Sequence, residues 1–122
     1  MTNGPPTHDP DCLFCKIVSG EIETELIHED SLAVAFRDIN PQAPVHVLVI
    51  PRKHVATLDE LSAEDEPMTG HLVSVAASLA RREGVAESGY RTVFNCNRGA
   101  GQTVFHLHLH LLGGRSFGWP PG

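Results

Sequence analysis

The segment His106-Leu107-His108-Leu109-His110-Leu111-Leu112 constrains the fold more than any other stretch of this chain. Strict alternation fits a β-strand, in which successive side chains point to opposite faces, so the leucines enter a core while the histidines share the other face at roughly 6.6 Å intervals. Three imidazoles then look into one site. A plain surface strand explains this badly, since an exposed strand face more often mixes Thr, Lys, Glu and Arg. A His-x-His metal site for zinc or copper stays open as a competing explanation. Immediately upstream lies Gly99-Ala100-Gly101-Gln102-Thr103. Its glycines would let consecutive backbone N–H groups turn toward an anion, and the Thr103 hydroxyl adds a donor, as phosphate sites require. Such a loop alone is more often simply a turn; its place before the histidines makes it specific.

The rest of the chain supplies a scaffold for that strand. Leu13, Phe14, Ile17 and Val18 recur at helical spacing before Gly20, which predicts a short helix. Leu32, Val34 and Phe36 alternate, and Val45 to Ile50 is an almost unbroken apolar run interrupted by His46, the pattern of a strand covered on both faces. Between them, residues 38–44 with Pro41 and Pro44 read as a rigid loop. Met68, Leu72, Val75 and Leu79 mark one face of a long helix, with Arg81 and Arg82 in its last turn and Gly84 beyond. Pro67 belongs to its first turn, and Ser62 with Asp65 caps an earlier one. Tyr90 to Asn95 and Val104 to Leu112 are predicted as two further strands forming a hairpin-like pair. The expected fold class is α+β: about five antiparallel strands, one short and one long helix, with the helices on one side. Residues 1–10 hold three prolines and are expected to be a tail, leaving 11–122 as a single domain that closes with a C-terminal tail at 113–122.

The formal net charge of −6 disfavours nucleic-acid polymers and anionic membranes as partners, but leaves room for a local pocket holding one small anion such as a mononucleotide. No stretch approaches the roughly 20 apolar residues of a membrane span, and the opening MTNGPPTHDP lacks the basic and apolar character of a secretion signal. A cytoplasmic location is expected. Cys12 and Cys15 are too close to suggest a secreted disulfide framework and fit reduced thiols or a metal clip better.

From about Cys12 to Gly122 the chain resembles the histidine triad family. The resemblance rests on the full signature at 106–112, on Phe36-Arg37-Asp38-Ile39, on Pro41-Gln42-Ala43-Pro44-Val45-His46, on Val49-Ile50-Pro51-Arg52-Lys53-His54 and on Gly101-Gln102-Thr103-Val104-Phe105. The ending Gly113-Gly114-Arg115 with Trp119-Pro120-Pro121-Gly122 is similar to the nucleotide-binding branch, which includes purine nucleoside phosphoramidases. What the resemblance implies is a hydrolase of nucleoside 5'-phosphoramidates, such as adenylated lysine, acting through a covalent nucleotidyl-histidine. Two other readings stand beside it: a nucleotide-sensing or protein-docking module with incidental hydrolysis, and a dinucleoside polyphosphate hydrolase.

Carried over residue by residue, His108 would be the nucleophile, since a neutral imidazole attacks phosphorus without first losing a proton. His110, supported by His46, would protonate the leaving amine. His106 would orient its neighbours or bind metal. Asp38 would accept the ribose hydroxyls, and Asn95, Gly101, Gln102 and Thr103 would hold phosphate or ribose oxygens. Leu13, Phe14, Ile17, Phe36 and Ile39 would form an apolar slot for a purine, with adenine and guanine undecided. From the residues alone, Asp38 is equally a turn residue, His46 a core histidine, and the slot simply core. No cofactor is expected for catalysis. Bacterial members of the family with Cys-x-x-Cys imply a structural zinc on Cys12, Cys15, His54 and His106, leaving Cys96 a free core thiol. The branch also implies a homodimer with a continuous sheet, in which Trp119 on the C-terminal tail helps select the leaving group.

Overall fold

A computed structural model describes residues 8–122; most of the expected N-terminal tail lies outside the described residues. The chain runs through helix α1 (Leu13–Ser19), strands β1 (Leu26–Glu29), β2 (Ala33–Arg37) and β3 (Val45–Pro51), helix α2 (Glu66–Arg82), and strands β4 (Tyr90–Phe94) and β5 (Leu109–Gly113). All pairings are antiparallel, in the order β1-β2-β3-β5-β4. Both expected helices are present. Gly20, at φ +85°, ends α1 in the left-handed conformation that glycine adopts without steric cost. Pro67 sits in the first turn of α2, where its missing N–H has no helical partner to lose. The turn before α2 is closed as expected: the Ser62 backbone N–H and hydroxyl both donate to the Asp65 carboxylate.

The two helices lie on opposite faces of the sheet, not on one. Alternation in β2, β3 and β5 sends Ala33, Ala35, Val47, Val49, Leu109 and Leu111 toward Met68, Leu72, Val75 and Leu79 of α2. The intervening residues Val34, Phe36, Leu48 and Ile50 meet Phe14, Cys15 and Ile17 of α1 instead. The physical cause is the unbroken apolar run of β3, which leaves both faces in need of cover. The expected strand 104–112 is also shorter than its alternation implies. Only Leu109–Gly113 joins the ladder, because the preceding residues bond to the segment after β3: Leu107 N–H donates to Val55 O at 2.6 Å and the His106 ring to Pro51 O at 2.8 Å.

Candidate active site

The three alternating histidines do not share one site. His106 precedes β5 and is fully buried, its ring turned to the base of α1, whereas His108 and His110 border an open cavity on the α1 face. The edge of Phe14 lies between the two environments, 6.0 Å from the His106 ring and 5.2 Å from that of His108, centroid to centroid.

Hydrogen bonds fix the tautomer of each ring. His108 Nδ1–H donates to the carbonyl of His106 at 2.7 Å, which leaves Nε2 with a lone pair. Burial of the ring disfavours the imidazolium and lowers its pKa, with the backbone bond and Asp38 opposing. His46 is set from the other side. The Gln42 backbone N–H donates to its Nδ1 at 3.0 Å, so the proton sits on Nε2 and is donated to His110 Nδ1 at 2.9 Å. His110 in turn carries its own proton on Nε2. Its pKa is pushed down to about 4 by burial and by the neighbouring His108 and His46, with Asp38 opposing. Desolvation also lowers His46, against the attraction of Asp38, whose carboxylate oxygen stands 3.5 Å from its Nε2. One bare ring nitrogen on His108 and one N–H on His110, with ring centroids 4.9 Å apart, suit attack on one atom and proton delivery to a group leaving it.

The cavity beside these rings measures about 560 Å³, large enough for a mononucleotide, and is lined mostly by apolar groups from α1, β2 and β3. It includes the expected Leu13, Phe14, Ile17, Phe36, Asp38, Ile39 and Thr103. Ile39 is fully exposed at 101%, so it overhangs the opening and does not belong to the core. Asp38 receives the Asn40 N–H on Oδ1 in a local turn, so its turn role and its place at the cavity coexist. Leu48, Ile22, Thr24 and Val104 also line the wall and were missed from sequence. Leu48 was within reach, since it falls between His46 and Ile50 on the same face of β3.

The glycine loop differs from its expectation. The N–H groups of Ala100, Gly101 and Gln102 donate inward to the carbonyls of Asn97 and Arg98, and so do not face the cavity. The Gln102 side chain is buried and fully used: its oxygen accepts from Asn97 N–H, and its amide donates to the carbonyls of Ala56 and Val104. Asn95, Gly101 and Gln102 are therefore not brought to the cavity wall; in this segment Thr103 and Val104 are. Trp119 is 86% exposed and away from the cavity lining.

Cys12, Cys15, His54 and His106 converge, their ligand atoms all within 4.8 Å of one another. Sγ of Cys12 is 3.4 Å from His106 Nδ1, Sγ of Cys15 is 3.3 Å from His54 Nδ1, and the two Nδ1 atoms are 3.2 Å apart. Because His106 Nε2–H donates to Pro51 O, its Nδ1 presents a lone pair to the sulfurs. Burial pushes the Cys15 thiol up to about 11 and His106 down to about 4, so a central cation would supply the charge that the thiolate needs. Two sulfurs and two neutral ring nitrogens form the closed set that suits tetrahedral zinc.

Fold and site together define a histidine triad hydrolase, and the HIT domain profile matches residues 19–117. The chain belongs to the HIT domain family. It is 49% identical over 106 residues to the purine nucleoside phosphoramidase of Escherichia coli K12, covering 87% of this chain and 89% of that protein. An uncharacterised HIT-like protein of Synechococcus elongatus is 53% identical over 112 residues, 92% of this chain and 97% of its own. The crystal structure of a HIT family hydrolase from Legionella pneumophila superposes with a TM-score of 0.90 at 53% identity, covering 92% of this chain and all (100%) of that one.

Proposed function

We propose that this hydrolase cleaves purine nucleoside 5'-phosphoramidates in two steps. His108 Nε2 attacks phosphorus as the phosphorus–nitrogen bond breaks, and the amine leaves with the proton of His110 Nε2; water then attacks the nucleotidyl-histidine, returns a proton to His110, and releases the nucleoside monophosphate and the free His108 imidazole. The observation that carries this reading is the tautomer chain, a bare Nε2 on His108 beside a protonated Nε2 on His110. Its second support is the likeness to the Escherichia coli phosphoramidase. Asp38 accepts the ribose hydroxyls and the slot of Phe14, Ile17 and Phe36 takes the base, a reading supported by the shared cavity that these residues line. Thr103 serves the phosphate.

In the same reading, Cys12, Cys15, His54 and His106 hold a structural zinc. It supplies no step of the reaction; its ligands fix the carbonyl of His106, which in turn holds the His108 tautomer. The edge strand β4 pairs with its copy in a homodimer, which buries an otherwise open edge. The tail bearing Trp119 then serves leaving-group choice at a completed site, in a cytoplasmic enzyme.

A direct test offers a fluorogenic adenosine 5'-phosphoramidate beside an adenosine diphosphate sugar and a dinucleoside polyphosphate. The phosphoramidate is expected to be the best substrate. His108→Ala should lose at least about a thousandfold in kcat while binding of the monophosphate stays within a few-fold. Turnover near wild type in that variant, or preference for the polyphosphate, would overturn the reading.

A further inference from the structure

On the opposite face of the sheet from the catalytic cavity, His28, Asp30 and His71 meet at a point that the hydrolytic reaction does not use. His28 comes from β1, opposite Ala35, a residue whose side chain faces α2. Asp30 comes from the β1–β2 turn and His71 from α2. Oδ1 of Asp30 is held by the backbone N–H groups of Leu32 and Ala33, each at 2.8 Å. Oδ2 is thereby aimed at the two imidazoles, whose Nε2 atoms lie 2.7 Å (His28) and 2.6 Å (His71) away. The three ligand atoms all lie within 4.8 Å of one another.

A turn cap alone needs only the bonds to Oδ1. Two ring nitrogens converging on the remaining oxygen form the donor set of a borderline divalent cation, neutral imidazoles plus a carboxylate. We propose that His28, Asp30 and His71 form a second metal site that takes Zn²⁺ and fastens the β1–β2 turn to α2. Zinc bonds of about 2.0–2.1 Å set ligand-to-ligand edges of about 3.3 Å, so each ring retreats by about 0.6–0.7 Å from its present contact of 2.7 Å (His28) or 2.6 Å (His71). On binding, the single proton of each neutral ring moves from Nε2 to Nδ1, which turns the Nε2 lone pair to the metal. Side-chain exposures of 28%, 28% and 34% let water complete the coordination. The site is independent of the Cys12–Cys15–His54–His106 cluster, with which it shares no residue.

The test compares zinc stoichiometry of the full chain with that of His71→Gln, by competition against a chromophoric chelator. Glutamine keeps a hydrogen bond to Asp30 but binds zinc poorly. The wild type should hold one equivalent more than the variant, whatever the Cys-containing cluster contributes to both. In parallel, ring-nitrogen NMR of the wild type should show Nε2 of both His28 and His71 moving on zinc addition. Hydrolysis by His71→Gln should stay at the wild-type rate. Equal zinc counts overturn the proposal, and so do ring resonances unmoved by several equivalents of zinc. The wild-type spectra decide the matter if the variant fails to fold.

Discussion

At the scale of single residues, each histidine's role follows from which nitrogen its surroundings leave free. His46 does not face the substrate with a lone pair; it transmits the Gln42 N–H through its ring to His110. His46→Ala removes that donor and lets His110 choose either tautomer, so a drop in kcat of about tenfold to a hundredfold with little change in KM is expected. An equal fall in monophosphate affinity would instead make His46 a binding residue. His110 also predicts a pH effect on stability. Its folded pKa of about 4 lies below the ordinary value of 6.5. The unfolded chain therefore binds this proton first as pH falls, and stability is lost between pH 6.5 and about 4. One such group contributes a slope of at most about 1.4 kcal/mol per pH unit. Denaturant unfolding of His110→Gln should show a shallower decline over that window than the wild type; parallel curves would contradict the assigned pKa. The alternation at 106–110 was legible in the sequence, whereas the separate tasks of the three rings came from the family resemblance and not from the period. A two-residue period assigns faces only while the chain remains a strand, and the bonds of Leu107 and His106 to Val55 and Pro51 take this stretch out of the ladder.

At the scale of elements, the sheet is thin where its end meets the loop after α2. A Cβ built on Gly113 in β5 would lie 2.8 Å from Val85 Cβ, in space already filled. Gly113→Ala should destabilise by about 1–3 kcal/mol, measured by thermal or denaturant unfolding, and Val85→Ala in the same chain should recover part of it. Additive losses in the double variant would contradict this packing account. The loop after β4 shows why some residues expected at the site do not reach the cavity. Glycines at 99 and 101 and a polar Gln102 fit an anion cradle as well as a self-bonded turn, and only the three-dimensional partners of Gln102, on residues 56, 97 and 104, decide between them. The apolar slot was readable because α1, β2 and β3 each announce their faces by periodicity.

At the scale of the whole molecule, one short helix is tied to the sheet through side chains from three distant stretches, 12–15, 54 and 106. If zinc occupies that cluster, strong chelation should lower the unfolding temperature by several degrees, and Cys15→Ser should show the lower value with or without chelator. A chelator-insensitive wild type would remove the metal from the account. Among the described residues no helix is long and apolar enough to cross a membrane, and β4 is an edge strand of the sheet, where the proposed homodimer would pair a second copy. A monomeric mass at micromolar concentration would remove the dimer. The central claim, covalent transfer to His108, is tested most directly by mixing enzyme with an adenosine phosphoramidate, quenching within one turnover and mapping the modified peptide by mass spectrometry. The expected result is one adenylyl group on the peptide containing His108, absent in His108→Ala. Full turnover with no trapped adduct, accompanied by inversion at a chiral phosphorus, would contradict it.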